Sequence, residues 1–407
     1  MSTEDRPRLL LVGMGVMGRP YAARARARGF LLSVVDNPTN LADPEVVRMW
    51  QPGDRPYEVR GTGDEAWFAA ASAAVADARP DALLAFTESQ VMAAALIADE
   101  LGVPSPGLRA ATVSRNKLLQ RQTFVRHGIR QPGFRLGTDA DGVRDWARER
   151  YPVVLKPLSG AGSMGVRVVH DDDGLAEWVA TTAAGQPFLC EEFVTGPEYS
   201  CELIVHEHRV VFANVTAKVT TPPPFFVEVA HRLPAGLSAD DTRAVTDQAA
   251  AVVGALRMRS GIAHVETRLT GDGPCLMELA VRTPGDFIMD LTELATGVDL
   301  FDAVVAVAAG QQPAVTPDRT DAACVWYPTF PPGTPLRVDE LRAAAALPGV
   351  VSAQINAEPG QTAPTVHWSL DRPAAFVMRG ADTAELDTVI DRVRSTIDSA
   401  ADSGLPA

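Results

Sequence analysis

The sequence predicts an α/β protein, and three stretches of it carry the prediction. Near the amino end, the apolar runs Arg8-Leu-Leu-Leu-Val12, Leu31-Leu-Ser-Val-Val35 and Ala82-Leu-Leu-Ala-Phe86 alternate with alanine-rich helical stretches. Strands that alternate with helices imply a parallel sheet. In the middle, Tyr151-Pro-Val-Val-Leu-Lys156 runs into Pro-Leu-Ser-Gly160-Ala-Gly162-Ser-Met-Gly165 and then Val-Arg-Val-Val169. That is two adjacent strands joined by a glycine-rich loop. Further on stand two acidic strands, His264-Val-Glu266-Thr-Arg268 and Leu276-Met-Glu278-Leu-Ala-Val-Arg282, joined by the turn Thr270-Gly-Asp-Gly-Pro274.

The 407 residues are enough for about two to four domains and a substantial core. Hydrophobic residues make up 46% and charged residues 22%, the balance of a globular protein. A net charge of −14 argues against nucleic acid or an anionic membrane as the main partner, and leaves room for a local basic pocket. Cys190, Cys201, Cys275 and Cys324 form no CxxC pair, so neither a zinc site nor a disulfide framework is expected. Buried thiols in a reducing cytoplasm fit them. The start, Met1-Ser-Thr-Glu-Asp-Arg6, is charged and leads straight into a strand. No signal peptide and no membrane-spanning stretch is expected, and the expected location is cytoplasmic.

Along the chain, Gly102-Val-Pro-Ser-Pro-Gly107 breaks the first alternation and ends an α/β domain at about residue 109. A helix is expected over Asn116–His127, and short strands over about 150–217. Thr221-Pro-Pro-Pro224 must be a loop, because proline cannot donate to a sheet. A helix fits Asp240–Arg257, and the stretch Asp290–Gly310 is apolar at helical spacing. Gln311-Gln-Pro-Ala-Val-Thr-Pro317 reads as a linker, before a last domain over 316–407 that ends in a helix, Thr383–Ala400.

Two glycine motifs compete for a phosphate. Gly13-Met-Gly15-Val-Met-Gly18 is a GxGxxG between strand and helix, and Asp36 ends the next strand. This is the dinucleotide fingerprint, and alone it would suggest an NAD(P)-dependent oxidoreductase. The same glycines also serve a tight turn with nothing bound. Lys156 with its loop carries the stronger signal: glycine lets backbone N–H groups approach an anion, and the lysine adds fixed charge. The loop is not a GxxxxGK[ST] P-loop, since the lysine comes first. Antiparallel pairing can put Glu266 and Glu278 on one face, and Mg²⁺ prefers one or two carboxylates plus phosphate oxygens and water. Arg282 can meet a developing oxyanion. Phe188-Leu-Cys-Glu191-Glu192-Phe193-Val194 offers extended backbone to an adenine edge. Glu228 and His231, in an apolar loop after the prolines, suit substrate contact. His206 and His208 form an exposed HxH at a hairpin tip, not a metal site.

Assembled in this order, the motifs resemble the ATP-grasp superfamily, and within it the amino-acid ligases that make dipeptides. The resemblance covers nearly the whole chain. It implies an ATP-grasp fold: an N-terminal Rossmann-like domain over 1–109, an ATP-grasp domain over 110–315 with a lid at about 130–195, and a small C-terminal α+β domain. It implies ATP and Mg²⁺ as cofactors, with small-molecule amino-acid, carboxylate and amine substrates and a possible homodimer. It assigns Lys117, Lys156, Ser159, Gly162, Ser163, Met164, Gly165, Glu191, Glu192, Val194, Glu198 and Met277 to ATP, and Glu266 and Glu278 to the metal. Arg282 and Lys156 become catalytic, and Glu228, His231, Arg282 and Asp286 line the amino-acid site. The implied reaction joins a carboxylate to an amine through an acyl phosphate, releasing ADP and phosphate, as in natural-product dipeptide synthesis. One departure stands out: where the family reads Glu-x-Asn-x-Arg, this chain reads Glu278-Leu-Ala280-Val-Arg282. Ala280 cannot ligate a metal, so a non-catalytic ligand-binding scaffold is the further alternative.

Overall fold

The computed structural model describes residues 6–160, 162–183 and 185–397. Three sheets organise them. The first is parallel, in the order β3-β2-β1-β4, from β1 (Arg8–Val12), β2 (Leu31–Asp36), β3 (Arg55–Glu58) and β4 (Ala82–Ala85). From Leu9 to Val12 its strand β1 is apolar, because both faces are covered there. Leu9 and Leu11 pack into one core cluster, while Leu10 and Val12 pack into another with the helices Asp64–Asp77 and Val91–Leu101.

The second sheet is antiparallel, in the order β5-β8-β6-β7, from β5 (Phe134–Gly137), β6 (Val153–Pro157), β7 (Arg167–Val169) and β8 (Phe188–Glu192). Val153, Leu155, Trp178, Phe188 and Cys190 form its core. The glycine-rich loop is the connection from β6 to β7.

The third sheet has eight strands in the order β13-β12-β9-β10-β11-β14-β16-β15. These are β9 (Glu198–His206), β10 (Arg209–Thr220), β11 (Glu228–Leu233), β12 (Gly261–Thr270), β13 (Gly273–Ala280), β14 (Ala322–Trp326), β15 (Val350–Ile355) and β16 (Ala374–Gly380). Successive side chains alternate between its faces. Cys201, Leu203 and Val205 turn to the helix Ala239–Leu256, through Val245, Ala249, Val252 and Val253. Glu198, Ser200 and Glu202 fall on the opposite face. Farther along β9, Ile204 packs with Phe212, Ile262 and the helix Leu300–Ala308. One face is therefore apolar where a helix covers it and polar where the site lies. The strand β14, beyond the expected linker, pairs with β11 before it, so the sheet is continuous across residue 315.

One expected helix divides in two. Asp290–Gly310 is covered by Ile288–Thr296 and Leu300–Ala308. Gly297 ends the first at φ 79°, and the Asp299 side chain accepts from Asp302 N to cap the second. Apolar spacing persists through such a break, so periodicity did not reveal it. The last helix is Thr383–Ile397, and the expected end at Ala400 lies outside the described residues. The helix Gly15–Ala27 is tied to the helix Leu300–Ala308: Arg24 pairs with Asp299 at 2.6 Å, and Arg28, just past the helix end, with Asp302 at 2.7 Å. All four cysteines are buried and free.

Candidate active site

A cleft opens between the second and third sheets. Lys117, Lys156, Ser159, Gly162, Ser163, Met164, Val194, Glu198, Glu228, Glu266, Met277, Glu278 and Arg282 line it, so most of the predicted site is brought together. Gly165 stands just behind at φ 76°, where an added Cβ would meet Pro157 at 3.0 Å. The loop is tied across the cleft, since Ser163 Oγ donates to the Phe226 carbonyl at 2.8 Å. Phe226 lies in the segment after the triple proline, so loop and proline segment close the cleft together.

The charges around the loop are arranged in pairs. Lys117 begins the helix Lys117–Arg126, capped by Asn116, whose side chain accepts from Leu119 N. Its ammonium lies 2.9 Å from Glu278 Oε1 and 3.1 Å from the Gly160 carbonyl. The same helix covers the free edge of β13. Gln120 donates to Leu279 O and accepts from Leu279 N, and Arg121 donates to Met277 O. Lys156 is buried and pairs with Glu191 at 2.6 Å, and Arg121 forks onto the same carboxylate at 2.7 and 3.1 Å. Burial pushes Lys156 below its usual range, and Glu191 offsets this only in part. Burial would raise the Glu191 carboxyl, but Arg121 and Lys156 outweigh it and hold it at about 2. The Glu191 side chain thus orients Lys156 behind the cleft and does not line it. Glu192 is exposed, accepts from Gly133 N and faces Arg150 at 3.4 Å. From this segment, Phe193 and Val194 reach the cleft.

On the polar face of the third sheet, register explains the chemistry. Glu266 and Glu278 are direct partners across β12 and β13, so both carboxylates project together. Glu198 stands opposite Lys218 on one side and Arg268 on the other. Lys218 is buried among three carboxylates, 2.9 Å from Glu198, 2.9 Å from Glu266 and 3.6 Å from Glu228. Burial works against its charge, but the three acids outweigh it and raise it well above the ordinary value. Arg268 pairs with Glu198 at 3.0 Å and lies over the Phe193 and Phe226 rings. The hard oxygens of Glu266 and Glu278 suit Mg²⁺, which would take its other ligands from phosphate and water. Among the described residues no group of three or more His, Cys, Asp or Glu forms an all-protein metal cage.

Arg282 follows β13. Its Nε donates to Glu88 at 3.2 Å and its Nη1 to the Thr283 carbonyl. Glu88, in the turn after β4, is held by Arg115 at 3.3 Å. Of the residues assigned to the amino-acid site, Glu228 lines the cleft, while His231 and Asp286 stand behind it, 3.1 Å apart. Asp286 also accepts a fork from Arg372 at 2.9 and 2.7 Å. Burial opposes its charge, yet His231 and Arg372 hold its carboxyl far below the usual range. Arg372 stacks on Tyr327, 3.7 Å from the ring centre.

The first glycine turn is closed to ligand by the protein itself. The Asp36 carboxylate accepts from Met14 N at 2.6 Å and Gly15 N at 3.2 Å, so it occupies the anion seat at the helix N-terminus. A Cβ on Gly13 would lie 2.3 Å from the Gln90 side chain, and one on Gly18 2.9 Å from Phe86. These glycines serve packing.

Sequence reading missed Lys218, Arg268, Glu88 and Arg372. Lys218 shares strand parity with Asn214 and Thr216, which marks the polar face, so alternation could have found it. Arg372 comes from a segment far along the chain, and no local pattern marks it.

Comparison with known proteins bears on the family and the fold. Residues 149–290 match the ATP-grasp domain, and residues 326–400 match the L-amino acid ligase C-terminal domain 2. The uncharacterized protein y4rH of Sinorhizobium fredii (strain NBRC 101917 / NGR234) is 30% identical over 311 residues, 74% of this chain and 64% of that protein. Carnosine synthase 1 of Homo sapiens is 27% identical over 332 residues, 75% of this chain and 40% of its own. The chain thus spans less than two thirds of the length of either relative. The crystal structure of an L-amino acid ligase from Bacillus licheniformis superposes with a TM-score of 0.78 at 20% identity, over 96% of this chain and 97% of that one, which is a likeness of fold.

Proposed function

We propose that this chain, which carries an ATP-grasp domain and an L-amino acid ligase C-terminal domain, is an ATP-dependent carboxylate–amine ligase that joins two amino acids. The observation that carries the reading is the single cleft in which Glu266 and Glu278 stand side by side, faced by Lys117, Lys156 and Arg282. In this reading a substrate carboxylate oxygen attacks the γ-phosphorus of ATP, the bond to the bridging oxygen breaks, and ADP leaves. The amine nitrogen then attacks the acyl carbon, phosphate leaves and the nitrogen loses a proton. ATP supplies the phosphoryl group, and Mg²⁺ neutralises its charge.

The chain's own residues position and neutralise. Lys117, Lys156 and the backbone of Ser159, Gly160 and 162–165 would hold phosphate oxygens. Phe193, Val194 and Met277 flank the base, and Glu198 takes the ribose. Glu266 and Glu278 hold Mg²⁺. Arg282, steered by Glu88, meets charge that develops at the reacting centre. Glu228 contacts an amino-acid substrate, with His231 and Asp286 bracing the wall behind it. The loop, tied to Phe226, excludes the water that would hydrolyse the acyl phosphate.

The test is a panel of amino-acid pairs assayed for ADP and phosphate release, with the product identified by mass. Amide product with stoichiometric ADP is expected. Nucleotide binding without turnover on any pair would leave a binding scaffold instead.

A further inference from the structure

We propose that His264, held by Glu202, is a positioning residue that fixes the metal-facing carboxylate of Glu266; this rests on the nucleotide–Mg²⁺ reading of the cleft. The imidazole bridges two acids on the polar face of the third sheet. Its Nδ1 lies 2.9 Å from Glu202 Oε1, and its Nε2 lies 3.1 Å from Glu266 Oε1. Glu202 is buried and is fixed in turn by Thr216 Oγ1, which donates to Oε2 at 2.7 Å. The ladder sets this up. Glu202 faces His264 across β9 and β12, and Ala280 faces His264 across β12 and β13. With only a methyl opposite, the imidazole has room to lie along the strand between the two acids.

The choice of oxygen gives the arrangement its consequence. Lys218 Nζ also approaches Glu266 at Oε1, at 2.9 Å. Two donors therefore hold one oxygen from the protein side. Among the described residues no hydrogen bond to Glu266 Oε2 occurs, on a carboxylate that lines the cleft. A carboxylate held at one oxygen and open at the other presents that second oxygen to a cation in a fixed position. Partners of this outer kind shift metal affinity by about 10–100-fold when removed. A buried acid left without its partner is strongly destabilising, so the main variant removes both members of the dyad, and each single variant keeps a hydrogen-bonding side chain.

The experiment measures Mn²⁺ uptake, by the electron-spin signal of the free ion, in the presence of a non-hydrolysable ATP analogue. Analogue affinity without metal is measured alongside. The double variant Glu202→Gln/His264→Leu is expected to weaken Mn²⁺ binding about 10-fold or more, with metal-free analogue affinity unchanged. His264→Gln, which keeps one donor, should recover part of the loss. Equal Mn²⁺ affinity in wild type and double variant would overturn the role of His264. If the double variant does not fold, Glu202→Gln alone decides, since it keeps shape and removes only charge. An unchanged Mn²⁺ affinity there also overturns the inference, and a measurable loss of affinity supports it. Wild-type protein that takes up no Mn²⁺ with the analogue would instead overturn the nucleotide reading itself.

Discussion

The chain has two glycine-rich turns of phosphate-binding type, and they meet opposite fates. The turn 13–18 points its backbone N–H groups at Asp36, a carboxylate of the protein itself. The turn 159–165 borders a cleft with Lys117 and Lys156 beside it. Glycine spacing is therefore permissive and not decisive. A glycine turn becomes a ligand site only if no internal anion fills it and fixed cations surround it. In the sequence Asp36 could be read as the acid that meets a ribose. In the structure it satisfies the helix end that a pyrophosphate would need.

The hardest test of that contrast is charge removal at the second turn. Lys117→Ala and Lys156→Ala should each weaken ATP binding and nearly abolish turnover, because each contact to phosphate is charge-assisted in a site that excludes water. ATP titrations of ADP release check this. Wild-type KM and kcat in either variant would make that lysine structural. Arg282→Ala should lower kcat by about 10²–10³ while leaving ATP affinity nearly intact, since the charge it meets appears only in the transition state. An effect confined to KM would make Arg282 a substrate clamp.

Behind the second turn, Glu191 is an internal anion whose side chain is taken up by Lys156 and Arg121. Glu191→Gln leaves Lys156 and Arg121 buried without a counter-charge, at a cost of roughly 3–5 kcal/mol. The pH dependence has a definite sign. A carboxyl lowered from 4.5 to about 2 stabilises the fold fully above pH 4.5 and loses that effect as pH falls through 2. The gap between wild type and variant in urea melts should be constant from pH 5 to 7 and narrow below about pH 4. A gap independent of pH down to 3 would mean that the charge of Glu191 is not what stabilises.

At the first turn the expected effects are smaller. Asp36→Asn should destabilise by about 1–3 kcal/mol, through loss of the charged acceptor for the Met14 and Gly15 N–H groups, and should leave KM for ATP unchanged. Mg-ATP at a hundred times its Kd should add about 2.7 kcal/mol to stability, and NADPH should add nothing. A thermal shift with NADPH and none with Mg-ATP would reverse the assignment of the two turns.

How much of this was legible follows from range in the chain. The β6–loop–β7 hairpin, the Glu266–Glu278 pairing and the Lys117 helix cap are set within single hairpins or one helical turn, so pattern and spacing reveal them. The break at Gly297 hides because apolar spacing continues on both sides of it. Arg372 on Asp286, Glu88 on Arg282 and Glu191 on Lys156 join distant segments. Nothing local signals such partners, because they are chosen by the sheet that brings them together. For the same reason the acidic strand around Glu191 gives no sign of the two cations that its side chain meets.

The smallest effect concerns Ala280, where the resemblance expects asparagine. Ala280 shares its face with Glu278 and stands directly opposite His264. Both positions are buried, so an added amide has little space, and its oxygen would point toward the pair of acids. Glu266 and Glu278 already supply two carboxylates, with phosphate oxygens and water to complete six ligands. Wild type should therefore turn over with Mg²⁺, and Ala280→Asn should lower the Mg²⁺ requirement by about two- to threefold, under 1 kcal/mol. The check is a Mg²⁺ titration of ADP release on both proteins. A rise in the requirement would mean that the amide displaces the imidazole from Glu266, and that orientation of this carboxylate outweighs an extra oxygen ligand. Turnover only in the variant would show that the second turn, like the first, has kept its glycines after losing its ligand chemistry.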